Sequence, residues 1–86
     1  MNSFKFVIST PEGNLYDGDI VNVSLRASEG DLAIMANHTP FVTSVKPCKA
    51  HIELEDGTIR NFYVERGLLS VAQNKVTLMS GSAKWE

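Results

Sequence analysis

The sequence predicts an all-β protein on three observations: a period-two apolar–polar alternation, closely spaced turn signals, and no window with a helical apolar stripe. Alternation of period two places one side of an extended segment on a core and the other in water. The alternating sets are rich in Val, Ile, Phe and Thr, which suit a pleated surface. Many short strands separated by turns every eight to twelve residues or so argue for a sandwich or a barrel.

Taken in order, Phe4-Lys5-Phe6-Val7-Ile8-Ser9 places Phe4, Phe6 and Ile8 on one face. Pro11-Glu12-Gly13-Asn14 then turns the chain into a short Leu15-Tyr16 segment, and Asp17-Gly18-Asp19 is expected to turn it again. Ile20 to Ala27 sets Val21, Val23 and Leu25 against Asn22, Ser24 and Arg26. Ser28 to Phe41 alternates poorly over its second half. Gly30 and Asn37 mark bends there, and Pro40 holds Thr39 extended. This stretch reads as an exposed acidic turn, a strand over Leu32–Met35 and an irregular connection. Lys49 to Leu54 opposes Ala50, Ile52 and Leu54 to Lys49, His51 and Glu53. Glu55-Asp56-Gly57 reads as a hairpin turn, because Gly supplies the positive φ that a tight turn requires. Gln73-Asn74-Lys75 likewise joins Leu69-Ser70-Val71 to Val76-Thr77-Leu78.

Length and charge bound the function classes. With 86 residues the chain has room for one domain, expected over 1–86, with a modest core. The formal net charge is −2, with both signs interleaved, so no basic face for nucleic acid is legible. The one cysteine, Cys48, has no partner for an intrachain disulfide and reads as a small, partly buried apolar residue. No signal peptide is expected, since the alternation begins at Phe4, and no apolar run approaches the roughly 18 residues of a membrane span.

Catalytic chemistry is sparse. His51 is expected on a solvent face, and His38, after a bend and before Thr39-Pro40, reads as a hydrogen-bonded structural histidine rather than a general base. Glu29 and Asp31 flank Gly30 without further oxygen ligands nearby in sequence, which favours a solvated turn or a specificity contact over a metal site. The glycines are scattered and none opens a helix, so no phosphate loop is present. From the residues alone, the reading is a small all-β interaction module. A β-fold hydrolase or metal protein using His38, His51 and the nearby acids stands as a weaker alternative.

The order of motifs resembles the N-terminal domain of the ATP synthase epsilon subunit, called delta in mitochondria. The residues that carry the resemblance run almost the length of the chain. They are Thr10-Pro11-Glu12-Gly13 with Tyr16 and Gly18; Ile20 to Leu25; Glu29-Gly30 through His38-Thr39-Pro40 to Lys46-Pro47; Asp56-Gly57; and Val64 to Met79. The chain departs from the family pattern at Ala33 and Cys48, where Gly is usual. It also departs at Ala36-Asn37, where Pro-Gly is usual, and at Glu65-Arg66, where Ser-Gly is usual.

The resemblance implies a flattened β-sandwich of about ten short strands. It implies a non-catalytic rotor-stalk subunit without a cofactor, which couples ion translocation to ATP synthesis at the cytoplasmic face of a bacterial plasma membrane. The implied partners are the gamma subunit and the polar loops of the c-ring, with no lipid insertion and no nucleic acid, and the isolated chain is expected to be monomeric. Glu29, Gly30 and Asp31 are the implied ring contacts; Thr10, His38, Pro40, Val42 and Thr43 are the implied gamma contacts. The family usually continues into a two-helix hairpin. This sequence ends at Gly81-Ser82-Ala83-Lys84-Trp85-Glu86, so the expected fold has no helical hairpin. A free-standing β-sandwich interaction module is the alternative.

Overall fold

The computed structural model describes residues 2–86; Met1, which belongs to the expected domain, lies outside the described residues. Ten strands account for the fold, and no helix occurs among the described residues. They are β1 (Phe4–Thr10), β2 (Gly13–Ile20), β3 (Asn22–Ala27), β4 (Gly30–Met35), β5 (Phe41–Val45), β6 (Cys48–Glu53), β7 (Ile59–Val64), β8 (Gly67–Ala72), β9 (Lys75–Ser80) and β10 (Ala83–Trp85).

All ten belong to one hydrogen-bonded sheet, in the order β10-β7-β6-β3-β5-β8-β9-β1-β2, with β4 on the other edge of β3. Every pairing is antiparallel except β1 with β9. The sheet folds over on itself at β3. Asn22 to Ser24 pair with β6, but Ala27 at the far end pairs with Val45 of β5. One strand therefore serves two walls: β10-β7-β6-β3-β4 and β5-β8-β9-β1-β2. The result is the predicted β-sandwich.

The core lies between the walls, and the alternation predicted it well. Phe4, Phe6 and Ile8 of β1, Val23 and Leu25 of β3, and Ala50 and Ile52 of β6 are all buried. They meet Phe62 and Val64 of β7, Leu69 and Val71 of β8, and Val76 and Leu78 of β9 in one cluster. Each large side chain removed from water in this way contributes roughly 1.5–3 kcal/mol.

At Tyr16, β2 meets β10 across the sandwich mouth. The ring centroids of Tyr16 and Trp85 are 6.0 Å apart in an edge-on arrangement, and Trp85 meets Phe62 at the same distance. The Arg60 guanidinium covers the indole from outside, 3.7 Å from its ring centroid.

Three local readings are corrected. Asp17-Gly18-Asp19 is not a turn; it lies inside β2, which stays paired with β1 as far as Ile20↔Phe4. A Cβ at Gly18 would stand 2.9 Å from the Tyr16 hydroxyl oxygen, so a larger residue there would displace the end of that side chain. The segment at Leu15-Tyr16 is the middle of a long strand with a bulge opposite Ile8/Ser9, and both side chains pack on the core edge. Phe41, read as the end of an irregular connection, opens β5; its pairing with Val71 continues to Val45↔Gly67.

Candidate functional site

The two outer faces of the sandwich differ in chemistry. On the wall β5-β8-β9-β1-β2, register sets outward residues in rows. One row runs Ser44, Leu68, Met79, Ser9; the next runs Val42, Ser70, Thr77, Val7. Val42 is 61% exposed, and Leu68 and Met79 are 42% exposed each. The residues between them are Ser and Thr, so the centre of this face carries no charge. Charges begin only at its margin, where Lys75 stands and Lys5 pairs with Asp17 at 3.2 Å. The opposite outer face is mixed and charged: Ser24, His51 and Asn61 form one row and Lys49, Tyr63 and Lys84 another, while a third sets exposed Met35 and Ile59 on either side of Asn22 and Glu53. Exposed apolar side chains clustered among small hydroxyls are what a docking surface presents.

The acidic turn is built by the β3–β4 hairpin. Ala27 pairs with Gly30, leaving Ser28 and Glu29 as the loop, and Gly30 has φ of +127°, which a side chain would strain. Asp31 is opposite Arg26 and accepts a hydrogen bond from its Nε at 3.1 Å. The sequence reading missed this pair, although hairpin register alone supplies it. Glu29 is thus the acid of this turn that holds no cation among the described residues.

The implied gamma-contact residues fall in three places: Val42 with Thr43, His38 with Pro40, and Thr10. Val42 stands on the uncharged outer face, but Thr43 points to the other side of β5. Both border a shallow hollow of about 290 Å³ along the edge of β5, with Glu29, Gly30, Asp31 and Leu32 on its other side. Neighbours on a strand face opposite ways, so the two side chains share this edge but not the flat outer face. His38 and Pro40 are at the opposite end of β5, beside Gln73 and Asn74. The His38 ring stacks at 5.1 Å on Phe41, and its Nδ1 is 3.1 Å from the Thr39 carbonyl oxygen, which accepts its proton. The side chain is hydrogen-bonded, as the sequence reading expected, and it is exposed. Thr10 is at the Glu29 end of the molecule. Its hydroxyl donates to the Gly13 carbonyl at 2.8 Å and accepts from the Glu12 amide at 3.2 Å, locking the β1–β2 turn.

Set beside known proteins, residues 3–86 match the family described as the beta-sandwich domain of the ATP synthase delta/epsilon chain. The chain belongs to that family. It is 34% identical over 85 residues to the ATP synthase epsilon chain of Clostridium perfringens, covering 99% of this chain and 64% of the relative. To the epsilon chain of Clostridium acetobutylicum it is 31% identical over 84 residues, covering 98% and 63%. The chain thus spans less than two thirds of the length of these delta/epsilon relatives. Among solved structures, the fold matches a chain of the Euglena gracilis mitochondrial ATP synthase with a TM-score of 0.91 at 16% identity, over 96% of this chain and 53% of that one. A chain of the Tetrahymena thermophila mitochondrial ATP synthase central stalk and c-ring matches with a TM-score of 0.76 at 15% identity, over 93% and 64%. At such identities these two likenesses concern the delta/epsilon sandwich fold alone.

Proposed function

We propose that residues 1–86 form one β-sandwich domain acting as a non-catalytic part of the central stalk of an F-type ATP synthase. It binds the gamma subunit and the polar loops of the c-ring, and helps couple ion translocation to ATP synthesis at the cytoplasmic face of a bacterial membrane. The observation that carries the reading is the uncharged outer face around Val42, Leu68 and Met79, in a chain that belongs to the delta/epsilon family. Desolvating that face loses no charge hydration, whereas the opposite face would have to strip Lys49 and Lys84.

Mechanically, the domain transmits force rather than doing chemistry. Ladder hydrogen bonds join all ten strands, and a close-packed interior resists shear. Gamma rests on the Val42 face. The ring meets the end that carries Glu29, Gly30 and Asp31.

The decisive experiment replaces Val42 by Asp and measures capture by purified gamma subunit alongside circular dichroism. A desolvated carboxylate at the centre of the contact weakens gamma binding by about thirtyfold or more, while the strand spectrum is unchanged because Val42 contributes nothing to the core. Wild-type affinity in the Asp variant removes the face from the gamma contact.

A further inference from the structure

One rung of the sheet runs along the whole end of the molecule. Gly30 pairs with Ala27, Ala27 with Val45, Val45 with Gly67, and Gly67 with Ser80. Ser9 is opposite Met79, so Thr10 stands beside Ser80, and Thr10 pairs with Gly13. All of these except Ser9 and Met79 begin or end their strands. The turns beyond them, which are far apart in sequence, therefore form one rim. Along it come Glu29, then Lys46, then Glu65-Arg66, then Gly81-Ser82, then Glu12, all exposed. Along the rung β8 is the third strand from β4, so Lys46, which follows β5, stands between Arg66 and the acidic turn.

The rim is held firmly at Arg66. The Ser80 hydroxyl is buried, within 3.2 Å of the Glu65 and Arg66 carbonyl oxygens and 2.9 Å from that of Ser82, with one proton to share among them. It also accepts the Ser82 amide at 3.2 Å, and the Glu65 amide donates to the Ser82 carbonyl at 3.0 Å. The Lys46 amide donates to the Arg26 carbonyl at 3.0 Å. Neither Lys46 nor Arg66 pairs with a carboxylate among the described residues. A pinned backbone under a free cation reduces the ordering cost of binding.

We propose that Lys46 and Arg66 form a basic half of the ring-facing contact, receiving carboxylates of the partner whose cations meet Glu29. This rests on the reading that the Glu29 end faces the c-ring. It adds that the contact is two-signed, with Arg66 as its specificity-determining residue in this chain. The guanidinium fork matches a carboxylate in two parallel hydrogen bonds, which fixes orientation as well as attraction. The occupant is a protein surface rather than anionic lipid or phosphate, because Glu29, Glu65 and Glu12 interleave with the cations and would repel a uniformly negative layer.

The test compares Arg66→Glu, Arg66→Lys and Glu29→Lys for binding to purified, detergent-solubilised c-ring, to gamma subunit and to anionic phospholipid vesicles. Arg66→Glu is expected to bind ring about three- to tenfold more weakly, with gamma binding and circular dichroism unchanged and a shallower salt dependence. Arg66→Lys is expected to recover part of that loss. Wild-type ring binding by Arg66→Glu while Glu29→Lys is impaired overturns the basic half and leaves the ring reading intact. Wild-type ring binding by both overturns the ring reading as well. Vesicle binding abolished by Arg66→Glu, with ring binding intact, overturns the proposal in favour of lipid.

Discussion

The Asp56 carboxylate accepts the Thr58 amide at 2.9 Å, tying the β6–β7 turn just where Gly57 takes a φ of +91°. That hydrogen bond favours the charged form and holds the Asp56 carboxyl below its ordinary value. A depressed folded-state pKa gives a stabilisation that is present above the unfolded pKa and lost as pH falls through the folded one. Wild type should therefore be more stable than Asp56→Ala at neutral pH, with the gap closing in acid below the usual carboxylate range. Urea denaturation at a series of pH values checks this, and a pH-independent gap would reject it. Asn37 and Asn74 show how much of this scale is legible in sequence. Both have positive φ, 67° and 62°, where the sequence marked a bend and a turn at a residue type that tolerates it. Cys48 and Ala33 show the reverse. The family's glycines at these positions are dispensable here because both lie in paired strand without positive φ.

At the scale of elements, β8 and β9 approach so closely at Gly67 that side-chain size becomes a pairing constraint. A Cβ there would be 2.4 Å from the Met79 carbonyl oxygen and 3.2 Å from the Ser80 Cβ. Backbone cannot yield as a flexible side chain can, so Gly67→Ala should destabilise by about 1–3 kcal/mol, read as a lower urea midpoint. Wild-type stability would show that the rim at Ser80 is looser than described. The alternation predicted β1, β3 and β6 because each has one wet face and one dry face. It failed at β2 and β10 for physical reasons. The β2 bulge at Leu15-Tyr16 breaks the period, and Gly18 clears the Tyr16 ring while looking like a turn residue. β10 is only three residues long, too short to show a period, and it is held by Trp85 between Tyr16 and Phe62 and under Arg60.

For the whole molecule, closure depends on distant pairings. The parallel β1–β9 ladder matches Lys5 with Lys75 and Ser9 with Met79, so the first strand cannot complete its contacts until almost the entire chain is ordered. Loop-closure entropy is spent before such contacts form, which places refolding in the millisecond-to-second range typical of non-local β topologies. Stopped-flow fluorescence of Trp85 reports it, and microsecond refolding would contradict that dependence on β1–β9. The same wrapping decides the candidate site. Glu29-Gly30-Asp31 was legible as an acidic, glycine-dependent turn. That it shares a rim with Lys46, Arg66 and Glu12 was not, since nothing local in sequence relates those turns.

What the sequence determined by itself is the strand periodicity, the core-facing set and the family membership, because each rests on local residue order and on side chains that must leave water. The tertiary structure alone decided which outer face is free of charge, that Val42 and Thr43 look opposite ways from one sheet, and which turns stand side by side. Those are properties of register between strands tens of residues apart. Register is fixed by how ten one-faced strands bury their apolar sides together, not by any strand's own composition.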